Sequence, residues 1–269
     1  MPPQNKTKSD APQGAAASLL NGLSVLEAFS IETPVLSVTE ISRRVQLHKS
    51  TVSRILNGLA KAGYVQREES SGRFRLGLGL IALSGPLLAD LNVRVAALPH
   101  LADLTEVTGE TSALTVWNGN ESVVVEQVPS PHQVKHTASI GTRYDKYESS
   151  SVRVFLAELP EHLAAELLSS NRVVRGRHGD IETNFVEHLR SVRECGFAIN
   201  DGYTTPEEFG VSAAVRDYRD FVVGCVTASA PHSRVSKEVA KNLAEAVVAT
   251  AARISARLGH TNVALTASS

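Results

Sequence analysis

The sequence predicts an α+β protein with two domains: a winged helix-turn-helix, then an antiparallel sheet flanked by helices. Three stretches indicate this class. Residues 37–76 hold two helical runs followed by two short extended runs, residues 112–228 are largely extended with helices at the margins, and residues 237–258 form one long helical run. The chain has 269 residues, 42% of them hydrophobic and 20% charged, which is sufficient for a core in each domain.

The first domain is predicted over residues 16–78. Its three helices each carry apolar residues at helical spacing, and Gly63 is placed to end the third. Extended runs at 64–67 and 73–76, joined by a Ser-Ser-Gly turn, form the wing. The apolar faces are Leu19, Leu23 and Leu26, then Val38, Ile41 and Val45, then Val52, Ile55, Leu56 and Leu59.

The outward face of the third helix indicates DNA binding. It carries short donors and long cations, with no carboxylate between His48 and Ala62. Such side chains can contact phosphates and base edges in a major groove. A solvated basic face that arose by chance is the alternative. The predicted DNA-binding residues are Arg43 and Arg44 on the preceding helix, His48, Lys49, Ser50, Thr51, Ser53 and Arg54 on the third, and Arg73 on the wing.

Charge is distributed unevenly along the chain. Residues 1–80 contain 10 Lys and Arg against 6 Asp and Glu, a balance of +4, whereas the remainder contains 17 against 22, a balance of −5. We therefore expect any nucleic-acid contact to lie in the N-terminal part. A non-specific DNA-packaging protein would be much more basic, so this class is disfavoured.

The remaining boundaries are less sharply marked. Residues 1–15 are predicted to be a disordered tail, 79–92 a linker or bent helix broken at Gly85-Pro86, and 93–260 the second domain, with a frayed tail at 261–269. The Leu-Gly-Leu-Gly-Leu run at 76–80 fits either a flexible boundary or the core of the wing. Predicted strands of the second domain are 112–117, 121–127, 134–140, 197–200, 211–215 and 221–228, and predicted helices are 93–107, 152–157, 161–168, 185–194 and 237–258.

No pattern in the sequence indicates a catalytic, metal or cofactor site. Nucleophile-elbow, zinc-protease, Walker and dinucleotide-binding motifs are missing from the sequence, and His132 and His136 have no third metal ligand nearby. Cys195 and Cys225 are interpreted as two partly buried thiols in a reducing compartment. With no membrane-length apolar run and no signal peptide, we expect a cytoplasmic protein without a membrane partner.

At the level of motifs the sequence resembles the IclR family of bacterial transcription regulators over roughly Ala16 to Gly259. The N-terminal likeness lies in Ile-Ser-Arg-Arg at 41–44, Lys-Ser-Thr-Val-Ser-Arg-Ile-Leu at 49–56, Gly-Tyr-Val at 63–65 and Arg-Phe-Arg-Leu-Gly at 73–77. The C-terminal likeness lies in Thr-Gly-Glu-Thr at 108–111, Gly-Phe-Ala at 196–198 and Ser-Ala-Pro at 229–231.

The resemblance implies a ligand-responsive repressor or activator that binds a palindromic operator as a homodimer or homotetramer. Its second domain would be a GAF-like domain for effector binding and oligomerisation. The effector is unknown, and an organic acid is one candidate class. A metabolite-binding protein or an enzyme whose second domain carries the main activity is the alternative. The implied effector residues are Ser151, Val152, Asp201, Gly210, Thr227 and Ser229, of which Thr227 and Ser229 should face the same side of a strand.

Three departures from the family pattern bear on these expectations. Gln46 stands where the family usually has glycine in the turn between two helices, so the turn is expected to be shifted or mildly strained, at a cost of about 1 kcal/mol. The segments Asp145 to Arg153 and Glu207 to Gly210 replace family segments that line the effector pocket. The small oxoacids bound by the best-known members are therefore not expected to be the ligand.

Overall fold

The computed structural model describes residues 13–30, 33–90, 92–137, 139–176 and 184–261. The chain divides after Asp90 into two compact units, each of which is described by itself below. The predicted tails fall largely outside the described residues. The first helix begins at Gln13, so the last three residues assigned to the N-terminal tail are helical.

The N-terminal unit is a winged helix-turn-helix, as predicted. Its three strands form an antiparallel sheet in the order β1-β3-β2, and β1 is a short strand that the sequence analysis missed. The core contains Val25, Ile41, Val52 and Leu56, all fully buried. The elements are α1 (Gln13–Glu27), β1 (Val35–Leu36), α2 (Val38–Arg44), α3 (Lys49–Lys61), β2 (Val65–Arg67), β3 (Phe74–Leu76) and α4 (Gly79–Asp90).

Local side-chain bonds define the helix-turn-helix. Ser37 caps α2 through a reciprocal pair with Glu40, in which the Ser37 backbone N–H donates to Glu40 Oε2 at 2.7 Å. Gln46 adopts φ +55°, so the turn is not shifted and this non-glycine residue accepts the strained conformation. The Ser42 hydroxyl donates to the Leu47 carbonyl at 2.6 Å, which holds the turn from the other side.

The glycines of the Leu-Gly-Leu-Gly-Leu run are packed against the wing. A Cβ added at Gly77 would lie 2.3 Å from the Gly63 carbonyl oxygen, and one at Gly79 would lie 2.7 Å from the same atom. The Gly77 N–H also donates to the Tyr64 carbonyl at 2.8 Å. Of the two open interpretations, a flexible boundary or the core of the wing, the structure supports packing against the wing through the two glycines. The linker itself is helical, because α4 runs through Gly85-Pro86 to Asp90.

The second unit is built on a six-stranded antiparallel sheet in the order β6-β5-β4-β9-β8-β7. The Asn118-Gly119-Asn120 turn joins its first two strands, as predicted. The elements are α5 (Asn92–Thr108), β4 (Thr111–Trp117), β5 (Ser122–Val128), β6 (Arg143–Tyr144), α6 (Ser150–Glu158), α7 (Glu161–Ser169), α8 (Phe185–Cys195), β7 (Ala198–Asp201), β8 (Glu208–Arg216), β9 (Val222–Pro231) and α9 (Lys237–Arg257).

The two largest apolar cores of this unit lie between its helices and the sheet, and smaller clusters complete the packing. One core packs α5 and α9 against the central strands through residues such as Leu101, Val226 and Ile254. The other contains Val152 and Leu156 of α6 together with residues of α7 and α8. The layered α+β arrangement predicted from the sequence is therefore present, and α6 begins where one of these layers meets the sheet.

Two predictions about this unit are wrong. Residues 134–137 and 139–140 form no strand, and position 138 lies outside the described residues. Hydrogen bonds from side chains, rather than backbone pairing with a strand, hold this segment. Arg234 donates to the Val134 carbonyl at 2.7 Å, and Lys135 donates to the Ser130 carbonyl at 2.9 Å.

The second wrong prediction concerns the two thiols, which the sequence analysis interpreted as both partly buried. Cys195 is exposed at the end of α8. Cys225 is fully buried in β9, and this burial raises the pKa of its thiol to about 12. Both are free cysteines.

Candidate DNA interface and ligand cavity

The exposed face of α3 is determined by the helical period of its apolar residues. Val52 and Leu56 point inward and are fully buried. Lys49, Ser50 and Arg54 are consequently exposed, whereas Thr51 and Ser53 are half-buried. The predicted face is therefore present and faces solvent within the N-terminal unit.

Several cations on this face and on the preceding helix have no partner among the described residues. Among the described residues, Arg43, Lys49 and Arg54 have no hydrogen bond, ion pair or ring contact. A cation without an intramolecular partner keeps its full charge available for a phosphate or a guanine edge.

Three other predicted DNA-binding residues have structural partners. His48 caps α3 and accepts from the Ser50 N–H through Nδ1 at 3.3 Å. Arg44 donates to the Ala28 carbonyl at 2.7 Å, and Arg73 forms an ion pair with Glu40 at 3.2 Å. These contacts position α1, α2 and the wing, so the DNA-binding roles of these residues remain predictions.

Two residues on α3 were missed by the sequence analysis. Asn57 and Lys61 are exposed, and they follow Arg54 at the three- and seven-residue intervals that place side chains along one helix face. Asparagine can donate to and accept from adenine in the major groove. The helical period that identified Arg54 would have identified Asn57 as well.

The wing is closed by a tight turn with a basic edge. Gly72 adopts φ +67° and its N–H donates to the Glu68 carbonyl at 2.8 Å. The guanidinium of Arg67 lies over the Phe74 ring at 5.9 Å, and Arg75 is exposed.

A small polar cavity lies in the second unit between the start of α6 and strands β4, β5, β8 and β9. Tyr144, Asn200, Thr204 and Glu208 line part of it, and Ala113 and Val124 supply its apolar wall. The remaining lining residues share a hydroxyl group and are Thr115, Ser149, Ser150, Ser151, Thr227 and Ser229.

Several of these hydroxyls bond to one another. Ser212 lies 2.8 Å from both Ser150 and Thr227, so three hydroxyls form a chain that joins α6 to two strands. The Ser149 and Ser151 hydroxyls lie 3.1 Å apart. This chain fixes the start of α6 against the sheet.

Glu208 is the acidic group of the cavity. Its Oε1 lies 3.2 Å from His136 Nε2, and its Oε2 accepts from the Thr204 hydroxyl at 3.1 Å. The hydrogen bond to Glu208 raises the pKa of His136. Burial, together with the charge of Glu208, raises the pKa of Tyr144 to about 12, so its phenol stays neutral.

The structure brings together four of the six residues implied as effector ligands. Ser151, Thr227 and Ser229 line the cavity, and Gly210 lies beside it. The other two lie outside its lining. Val152 is fully buried in the core beneath α6, because the next residue on a helix turns by about 100°. Asp201 is exposed and pairs with His232 at 2.8 Å.

Glu208, His136 and Thr204 were missed as a cluster. His136 and Glu208 are far apart in sequence, and no local pattern connects them.

Across the described ranges, we find no helix that is both long and apolar enough to cross a membrane.

Comparisons with known proteins point to the same family for both parts of the chain. A family model described as IclR helix-turn-helix domain matches residues 18–69, and one described as bacterial transcriptional regulator IclR C-terminal matches residues 86–256. The HTH-type transcriptional repressor AllR of Escherichia coli is 28% identical over 253 residues, which are 92% of each chain.

Solved structures show the same likeness. A crystal structure of a domain from an IclR-family regulator is 47% identical, with a TM-score of 0.59, and covers 62% of this chain and 97% of that chain. An IclR homologue from Microbacterium hydrocarbonoxydans complexed with 4-hydroxybenzoate is 25% identical, with a TM-score of 0.71, and covers 89% of this chain and 99% of that chain. Given the two family models and these relatives, the chain belongs to the IclR family of bacterial transcriptional regulators.

Proposed function

We propose that this regulator binds a palindromic operator through α3 and responds to a small molecule held in the second unit. The observation that supports it best is the solvent-facing, carboxylate-free face of α3, on which Lys49 and Arg54 have no intramolecular partner within the described residues. A helix of this kind fits the major groove with its N-terminal residues against base edges.

The side chains divide into two roles. Arg54 is proposed to contact a guanine, and Asn57, one turn further along the same face, an adenine. Lys49, Ser50, Thr51 and Ser53 are proposed to contact phosphates near the start of α3, and Arg43 to contact the backbone. Of the residues with structural partners, His48 holds the first turn of α3, Arg44 ties α2 to the end of α1, and Arg73 is proposed to guide the wing towards the adjacent minor groove.

The protein is proposed to act as a homodimer or a homotetramer. Apolar side chains stay exposed on two helices of the N-terminal unit, which is unusual for a monomer. A second copy of the same unit would bury them and place two α3 helices about 34–36 Å apart. These side chains are Leu19, Leu20 and Leu23 on α1, and Ile81 and Leu83 on α4.

The second unit is proposed to bind the effector in its polar cavity, through Ser151, Gly210, Thr227 and Ser229 together with Glu208. Binding there would shift the balance between arrangements that bind DNA and arrangements that do not. We propose that the protein acts by binding alone, without catalysis, and in the cytoplasm where its operator lies.

Selection from random DNA tests this function. The full-length protein is incubated with a pool of random duplexes, and the bound fraction is amplified and sequenced. We expect inverted half-sites with centres 10–10.5 base pairs, or a multiple, apart. Recovery of sequences without a common motif, at an affinity equal to that for the starting pool, would contradict the proposal.

A further inference from the structure

The cavity in the second unit has an unusual charge for a site that would take an organic acid. Glu208 is buried and is the one ionisable carboxylate among the described lining residues, and these include no lysine or arginine. A buried ligand carboxylate needs a cation or several donors to offset the loss of hydration. Here its immediate surroundings would contain hydroxyl donors but also a second carboxylate, with no lining cation to offset the two negative charges.

Glu208 has capacity for further hydrogen bonds. Its oxygens accept from Thr204 and contact His136 at 3.2 Å, but an ionised carboxylate offers about four acceptor positions. His136 is not among the residues that line the cavity. Acceptor positions that remain on the cavity side favour a ligand with O–H or N–H groups.

Only a short distance separates the Ser150 hydroxyl from the Glu208 carboxylate. The Cβ position of Gly210 lies 3.4 Å from Ser150 Oγ and 3.8 Å from Glu208 Oε1, so these two oxygens are at most about 7 Å apart. Any anion placed between them would be close to the Glu208 carboxylate, and like charges at such a distance disfavour each other strongly in a buried site. A small molecule could instead accept from Ser150 or Ser151 and donate to Glu208.

We propose that the cavity binds a small uncharged molecule, of the amide or polyol kind, which donates hydrogen bonds to Glu208, and that it discriminates against carboxylates. The role of the cavity as the effector site rests on the proposed function. The charge selectivity rests on Glu208 and its neighbours. Tyr144 contributes a neutral phenol to the same lining, which can donate a hydrogen bond to a carbonyl oxygen.

Matched probes that differ in one functional group test the proposal. The full-length protein is titrated by calorimetry and thermal shift with lactamide and lactate, acetamide and acetate, 4-hydroxybenzamide and 4-hydroxybenzoate, and glycerol. We expect at least one amide or glycerol to bind, each binding amide to do so at least ten-fold more tightly than its carboxylate, and Glu208→Gln to reduce this preference to less than three-fold.

Glu207→Gln is the matched control, because Glu207 is exposed and lies outside the cavity lining. It should keep the wild-type preference. The proposal is overturned if the wild type prefers the carboxylates, if none of the uncharged probes binds, or if Glu208→Gln leaves the preference unchanged while circular dichroism shows a folded protein.

Operator binding by the same preparations separates the two proposals. A protein that binds its selected operator but prefers carboxylates refutes the ligand class alone. A protein that prefers amides but binds all DNA equally refutes the regulatory function alone.

Discussion

The exposed face of α3 and the polar cavity of the second unit differ in how their polar side chains are paired. On α3, Lys49 and Arg54 extend from the surface with no partner among the described residues. Beside the cavity, the Ser212 hydroxyl bonds to the hydroxyls of the lining residues Ser150 and Thr227. The first region therefore depends on free charge, which salt screens, whereas the second depends on a preformed hydrogen-bonded wall, which salt affects little.

The largest expected effect is on stability, and it distinguishes the buried side of α3 from its exposed face. Leu56→Ala removes a fully buried side chain beneath Arg54, and we expect it to destabilise the N-terminal unit by about 2–5 kcal/mol. Arg54→Ala should leave the free energy of unfolding within about 0.5 kcal/mol of the wild-type value, because that residue is exposed. Urea denaturation of both variants provides the measurement, and equal destabilisation would contradict the assigned faces.

The next effect concerns the wall of the cavity. Gly210→Val adds methyl groups towards Ser150 Oγ, which already lies 3.4 Å from the Cβ position. We expect a cost of about 1–3 kcal/mol in stability and, by calorimetry, at least a ten-fold loss of affinity for the uncharged probe that the wild type binds most tightly. Gly210→Ala adds only the Cβ at an ordinary contact distance and should retain part of the binding. Unchanged binding by both variants would place the ligand elsewhere.

The smallest effect depends on pH. Glu208 raises the pKa of His136, so the pair stabilises the fold fully below the ordinary histidine pKa, and this contribution is lost as the pH rises through the raised value. Solvent screening limits it to about 0.5–1 kcal/mol. We expect His136→Asn to be less stable than the wild type at pH 5.5, with the difference shrinking by pH 9. A difference that grows with pH would contradict the ion pair.

Local pattern explains which parts of the molecule could be predicted from the sequence. The period of Val52 and Leu56 was sufficient to place Arg54 at the surface. The strand predicted at 134–140 failed because its conformation depends on Arg234 and Ser130, which lie elsewhere in the sequence. Sequence pattern contains no information about such distant partners.

The cavity shows the same limit at the level of single residues. The family resemblance identified Ser151, Thr227 and Ser229, which do line it, but it also included Val152, which the helix turns into the core. Glu208 was noted only as part of a departing segment. Its importance depends on His136 and Ser150, and folding alone brings these residues together.

The most direct test of the DNA-binding surface is the ratio of specific to random-duplex affinity for Arg54→Ala, measured by fluorescence anisotropy at one fixed salt concentration. We expect operator binding to weaken by about 1–3 kcal/mol and random-duplex binding to weaken much less. Lys61→Ala, on the same face but at the far end of α3 and expected to contact phosphate alone, is the matched cation control and should weaken both affinities by the same factor. Equal losses on operator and random DNA for Arg54→Ala would contradict the claim that α3 recognises sequence.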